Sequence, residues 1–407
     1  MEVRRTRIGA LVVSLSALGA PACSGEARVA GTAGGGPVYA LMSQVYTDDD
    51  RTVYIAATHS IDTGEVSLDG AHEFPSVANF EAIAGRLLVS SGDAPIITAY
   101  EIDDALDWHE GQTVSFAAFP LEDNANFFYQ YLVDEHHMYM PFDGYKRIVW
   151  DPTELEIETV LEDTRLVPER NGMPIEAAGN RSGIRYPSRV MMPFFYHDED
   201  WYEFAPVSPI AVYDPQTHEE SKVIEAPCAG LAIASQDEQG NTYFSSWDYG
   251  PLLALYGLAP PPCVARITAD HELDESFTSD LTQWTGGRFA INFRYIRDGW
   301  GLANVFHQER LGVDFTGGSI DATVQDQVWE EENWSVWRID LANQEAHPFE
   351  AVDLPSFGWG LVEIDGRSIL TVPYADSSRT KFYELDGSGN ASELLDVVGD
   401  ATWIRVR

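Results

Sequence analysis

Val149-Trp150-Asp151-Pro152 ends a run of β-forming residues in an aromatic ring and passes straight into an Asp-containing turn. The same unit returns as Ala99-Tyr100-Glu101-Ile102-Asp103, Val212-Tyr213-Asp214-Pro215, Ala265-Arg266-Ile267-Thr268, Trp337-Arg338-Ile339-Asp340 and Phe382-Tyr383-Glu384-Leu385-Asp386. A looser copy lies over Ile55 to Gly64. Around these units, short runs of Val, Ile, Tyr, Phe and Trp are separated by Asp, Gly, Pro and Asn turns, and no long stretch has a 3.6-residue period. The units recur at roughly 53 residues across 37–407, which suits four-stranded propeller blades of about 40–50 residues with added loops.

A second repeat supports that reading. Ala78-Asn79-Phe80 and Ala125-Asn126-Phe127 each open the strand before a blade's body. With strands A to D running outward, the Asp turn joins C to D. Blades 2 to 7 then lie near 78–119, 126–161, 188–225, 230–277, 288–350 and 358–398. Blade 1 has strands at 38–46, 52–58 and 66–74 but no innermost strand. Thr402-Trp403-Ile404-Arg405-Val406 fits that vacancy and closes the ring, which removes exposed sheet edges. The expected fold is an all-β, seven-bladed propeller; an irregular pair of β-sandwiches is the alternative.

The N-terminus has the layout of an export signal: Arg4, Arg5 and Arg7, an apolar run from Ile8 to Ala22, and small residues before Cys23. The expected organisation is a signal peptide over 1–22, a flexible tether over 23–36 and a propeller over 37–407. Cys23 is the candidate lipidation site, although Ala20-Pro21-Ala22 departs from the usual lipobox and would also suit plain secretion. The chain is then exported and lipid-anchored to the cell envelope, or secreted if Cys23 is not acylated. Cys228 and Cys263 are the other two cysteines. In an oxidising compartment they pair, and the loop of about 35 residues is worth roughly 3–4 kcal/mol in the chain-entropy model; two buried free thiols are the alternative. Strands A and C of a blade stand about 9.6 Å apart, beyond the reach of a disulfide, so the bond must form in the loops above the sheet.

There are 65 Asp and Glu against 25 Lys and Arg, a formal net charge of −40. That field excludes nucleic acid and anionic membranes as partners, leaving a lipid anchor as the one route to a membrane. It also makes clustered cations conspicuous. The B–C and D–A loops share one face of a propeller, and here they carry the long insertions 164–188, 193–209, 245–262, 304–334 and 373–381. Lys146, Arg147, Arg181, Arg185, Arg189, Arg288, Arg310, Arg379 and Lys381 fall there. Of these, Arg189, Arg288, Arg379 and Lys146 are the candidate ligand contacts, with Trp247, Tyr249, Phe306, Trp359 and Tyr374 as aromatic surfaces. Arg and aromatic rings at a concave mouth suit a flat anionic ligand. Arginines that balance neighbouring carboxylates, and rings that pack between blades, are the plainer reading.

Catalytic motifs are missing: there is no Gly-x-Ser-x-Gly, His-Glu-x-x-His or phosphate loop. His136-His137 sits in a strand region, where adjacent side chains face opposite ways and cannot chelate together. Asp48-Asp49-Asp50, His197-Asp198-Glu199-Asp200 and Glu330-Glu331-Glu332 read as solvated acidic turns. No catalytic residue, metal ligand or cofactor is assigned.

The acidic lipoprotein start, the seven units and three blocks carry a resemblance. The blocks are FPSVANFEAIAGRLLVSSG (74–92), DNANFFYQYLVDEHHMYMPFDGYKRIVWDPTE (123–154) and IAVYDPQT (210–217). Together they resemble exported bacterial propeller lipoproteins encoded beside siderophore genes, including the myxochelin cluster. The resemblance implies an envelope protein that binds a ferric siderophore, a small anionic ligand, or assists a TonB-dependent outer-membrane receptor. The competing classes are a propeller enzyme of lactonase or quinoprotein type, with Asn79 and Asn126 as channel ligands, and a protein-binding scaffold at the envelope.

Overall fold

The computed structural model describes residues 36–407 except 47–50, 63–65, 76–77, 91–93, 122–126, 180–188, 200, 202, 248–249, 278–280, 313–323, 325–326, 329–330, 353–358 and 375. The expected signal peptide, most of the expected tether and Cys23 lie outside the described residues, as do Asp48, Asp49, Asp50, Arg181, Arg185, Asn126, Asp200, Tyr249 and Glu330. Seven antiparallel sheets follow one another along the chain as the blades of a propeller. No helix among the described residues is long and apolar enough to cross a membrane.

Blade 1 closes the ring. Asp400–Arg405 forms its innermost strand and pairs antiparallel with Tyr39–Tyr46, from Tyr39 opposite Arg405 to Gln44 opposite Asp400. Arg51–Thr58 and His72–Pro75 complete it, so the outer strand starts later than Val66. Blades 2, 3, 6 and 7 have four strands each, and their bodies lie where the repeats put them.

Blade 4 departs from expectation. Its inner strand is Met173–Ala177, with a further short strand at Glu169–Arg170, inside a stretch read as loop. Met173, Ile175 and Ala177 are buried in alternation, and Asn171-Gly172 makes the turn with both residues at positive φ. Asn-Gly between strands is a strong hairpin signal. Blade 5 has three strands, Leu231–Gln236, Thr242–Ser246 and Val264–Ile267; an isolated bridge from Ile267 to Leu273 stands where the fourth would run.

The repeated Asp has a local job. Asp103, Asp151, Asp214, Asp340 and Asp386 each accept hydrogen bonds from backbone N–H groups within the next four residues, which closes the C–D turn. These donors hold Asp214 and Asp340 below the usual carboxylate range. The turn then passes through one left-handed residue: Leu106, Leu155, His218, His271, Gln344 or Gly389. The aromatic before it is core; Trp150 and Tyr213 are fully buried.

Burial sits between blades. Seven apolar clusters fill the seven junctions, including the one where Trp403 and Leu41 of blade 1 meet Phe382 and Val362 of blade 7. At four of the junctions a polar side chain ties one blade to the start of the next. Asn79 Oδ1 accepts the N–H of Phe127, Ser208 Oγ that of Leu231, Ser245 Oγ that of Phe293, and Thr380 Oγ1 that of Ala401. Asn79 is therefore a structural tie and not a channel ligand.

Candidate ligand site at the loop-bearing face

Among the described residues the B–C and D–A loops lie on one face, opposite the C–D turns; strand A of blade 4 ends at Ala177 and strand B begins at Val190, so the predicted insertion 164–188 is divided between the two faces. The disulfide lies on the B–C and D–A face. Cys228 and Cys263 are bonded with Cα atoms 5.9 Å apart. Neither is in a strand: Cys228 follows the outer strand of blade 4, and Cys263 precedes Val264–Ile267. Both sulfurs are buried. Ser246 Oγ accepts the N–H of Cys263 and donates to the carbonyl of Ala229, so the bond and strand B hold two loops together.

These loops enclose an apolar pocket lined by Phe204, Gly230, Trp247, Leu253, Pro260 and Pro262, among others. Gly230 turns the chain there at φ +60°, a conformation that favours glycine. Beside the pocket, rings from blades 4 and 5 converge. Trp201 stacks on His197 at 3.9 Å between centroids and meets Trp247 edge-on at 5.5 Å; Phe195 and Phe204 complete the group. Trp201 has φ +59°, uncommon for a bulky residue, at the tip of a loop that Asp198 closes by accepting the N–H of Glu203. His197 is buried and bonds Glu176 on the inner strand of blade 4 through Nε2 at 2.8 Å. It is part of this wall, not a solvated acidic turn.

The predicted cations are placed differently from one another. Lys146, Arg288 and Arg379 are at the mouth, each beside a carboxylate: Asp143 at 2.5 Å, Glu309 at 2.8 Å and Asp396 at 2.7 Å. Tyr374 donates to the same Asp396 at 3.0 Å. Arg189 is not at the mouth. It precedes strand B of blade 4 and pairs with Asp214 in the C–D turn, so it belongs to the opposite face. Phe306 and Trp359 are buried in the core and present no stacking face. Arg147 is buried too, paired with Asp163 and flanked by the rings of Tyr139 and Tyr213.

Blade 6 adds a polar chain at the mouth that the sequence reading missed. His307 Nε2 lies 2.6 Å from Ser335 Oγ, and its Nδ1 faces Glu309 Oε1 at 3.3 Å. Burial opposes ionisation of Glu309, but hydrogen bonds from Arg288 and His307 outweigh it and bring the carboxyl down to about 2. Burial likewise pushes His307 below the usual imidazole value. The three residues share no linear motif, which is why the sequence was silent.

No protein-family model matches the chain, and no characterised protein matches it in sequence. Solved structures are similar in architecture. The Pseudomonas aeruginosa periplasmic gluconolactonase PpgL is 12% identical with TM-score 0.49, covering 91% of this chain and 100% of that one. Apo AztD from Citrobacter koseri is 10% identical with TM-score 0.40, covering 91% and 98%. The β-propeller domain of the Trilobed protease from Pyrococcus furiosus is 9% identical with TM-score 0.42, covering 89% and 93%. At such identities the likeness is one of fold and says nothing of activity.

Proposed function

We propose that the protein is an exported propeller that binds a small ligand with flat aromatic faces in the mouth pocket between blades 4 and 5. The observation that supports this is the convergence of Trp201, Trp247, Phe195, Phe204 and His197 beside an apolar pocket whose loops are tied by a disulfide. Aromatic rings on a fixed support bind planar ligands by stacking at low entropic cost. A ferric catecholate siderophore, the class implied by the resemblance, has such faces, and delivery to a TonB-dependent receptor is the role that follows. Its negative charge must be met locally, because a net charge of −40 repels anions and screening confines useful attraction to about 8 Å. Lys146, Arg288 and Arg379 lie on blade 3, before blade 6 and on blade 7, and each already faces a carboxylate, so stacking on the rings carries the binding in this reading. The test is tryptophan fluorescence titrated with a ferric catecholate, in wild type and in Trp201→Ala and Trp247→Ala. Saturable quenching that weakens at least tenfold in both variants is expected. No saturation in wild type, or undiminished binding by both variants, overturns the assignment.

A second reading, as a hydrolase, is favoured by the Ser335, His307 and Glu309 chain, whose order matches a serine activated by an imidazole and oriented by an acid. Against it, Glu309 is already engaged by Arg288, and Ser335 Oγ also accepts the indole N–H of Trp337. Hydrolysis of a simple ester or lactone that disappears in Ser335→Ala would support it; no hydrolysis by wild type removes it.

A further inference from the structure

We infer that His137, Glu158 and His218 form a binding site for a zinc-class divalent cation, on the tight-turn face and bridging blades 3 and 4. One ligand atom from each residue lies within 4.8 Å of the other two. Three fold features put them there. His137 ends the A–B turn of blade 3, where its carbonyl accepts the N–H groups of Val133 and Asp134. Glu158 is the extra residue of a β-bulge: Trp150 is opposite Ile157 and Val149 opposite Thr159, so Glu158 has no partner in the ladder and is turned out of register. His218 is the left-handed residue of the blade 4 C–D turn, a place taken in other blades by Leu, Gln, Gly or, in blade 5, His271. Only at this junction do these three positions bring together two imidazoles and a carboxylate, among the described residues.

The second observation is how the rings are held. His137 Nδ1 lies 2.9 and 3.0 Å from the two carboxylate oxygens of Asp134. A carboxylate only accepts, so Nδ1 carries the proton and Nε2 of the neutral ring offers its lone pair. His218 Nδ1 lies 2.9 Å from the hydroxyl of Tyr139, which can accept in the same way, and Nε2 is again the atom left for a cation. A metal-binding histidine usually donates its other ring N–H to a carboxylate, backbone carbonyl or water, and His137 with Asp134 has that arrangement. His137 Nε2 is 3.8 Å from Glu158 Oε2, and the rings of His137 and His218 are 4.7 Å apart. Ligand atoms in a closed tetrahedral zinc site stand about 3.3 Å apart, given bonds of about 2.0–2.1 Å. The approach still needed is within reach of side-chain rotation, because Glu158 is exposed and His137 half-buried.

The surroundings tolerate a dication. Asp134 and Glu158 offset its charge. The nearest cation, Arg147, holds the carbonyl of His218 and is itself neutralised by the buried Asp163. Two nitrogens and one carboxylate favour zinc, copper or nickel over calcium, which takes oxygen ligands. Three protein ligands at a solvent-exposed edge leave a fourth position for water.

The test is calorimetric titration of the chelator-treated chain with zinc, and with calcium as a contrast, for wild type, His137→Ala, His218→Ala, Glu158→Gln and His136→Ala. One zinc per chain is expected, with affinity down at least tenfold in each of the first two variants, by a smaller factor in Glu158→Gln, and unchanged in His136→Ala. His136 is exposed, outside the triad, and beside Asp151. Melts with and without zinc separate binding from folding: zinc raises the midpoint of wild type and of His136→Ala but not of the His variants. Cobalt in place of zinc supplies an independent optical readout of a nitrogen-ligated site. Wild type that takes up no zinc, or zinc binding and stabilisation that persist in the His137→Ala, His218→Ala double variant, overturns the inference.

Discussion

Asp400 begins the closing strand as a carboxyl almost out of reach of water. Burial pushes it up to about 7, and Arg51 pulls it only partly back. Its ordinary value is 3.8. A carboxyl whose value is raised on folding binds a proton more tightly in the folded state. Its contribution to stability is full below the unfolded value and is lost as pH rises toward 7. Stability should therefore fall between about pH 4 and 7, at up to ~1.4 kcal/mol per pH unit from this group. Asp400→Asn should flatten that slope and raise the denaturation midpoint at pH 8; equal slopes in urea melts of both proteins would discount the burial argument. Arg147 shows what single residues hide. It and Lys146 are neighbours on one strand, so they face opposite ways, and only Lys146 reaches water. Nothing in the local sequence marks which of two adjacent cations turns inward. Arg147→Ala leaves Asp163 buried without its cation, held by the Tyr213 hydroxyl, and a loss of about 3–5 kcal/mol is expected in the same melts.

At the scale of elements, the strands that carry the Asp turn were legible, because aromatic, aspartate and turn residues agree on one structure. The inner strand of blade 4 was passed over although Asn171-Gly172 announces its hairpin, since the long interval before it looked like an inserted loop. The disulfide was legible in a stronger sense: the width of a blade forbids a bond between strands A and C, and the structure has both cysteines in loops with Cα atoms 5.9 Å apart. Closing a loop over a sequence separation of 35 stabilises by roughly 3–4 kcal/mol in the chain-entropy model. The Cys228→Ser, Cys263→Ser double variant should lose up to that amount in a denaturant melt. It should also bind a ferric catecholate more weakly than wild type, because Ala229, Gly230, Pro260 and Pro262 line the pocket. A variant with lower stability but unchanged affinity would mean that the bond supports the blade and not the site.

On the scale of the whole molecule, the ring was readable because a repeat states it seven times, while the sites were not, because each is made where two blades meet. His137 and His218 belong to different repeats, as do Trp201 and Trp247, and no linear spacing announces either pair. Closure is the one property that only the complete ring has, and it can be tested. Removing 400–407 leaves Tyr39–Tyr46 as the inner edge of blade 1, with a row of unpaired backbone groups. It also removes Trp403, which is buried against Phe382 at the junction of blades 7 and 1, and the N–H of Ala401 that Thr380 holds. The loss of a buried Trp alone costs about 3–5 kcal/mol, against a total stability of about 5–15 kcal/mol. The truncated chain should therefore elute as oligomers or aggregate in size-exclusion chromatography, whereas Trp403→Ala should remain monomeric with a lower melting midpoint. If the truncated chain were monomeric and melted like wild type, the other six junctions would suffice to hold the ring, and the closing strand would be a cover for an edge and not its fastening.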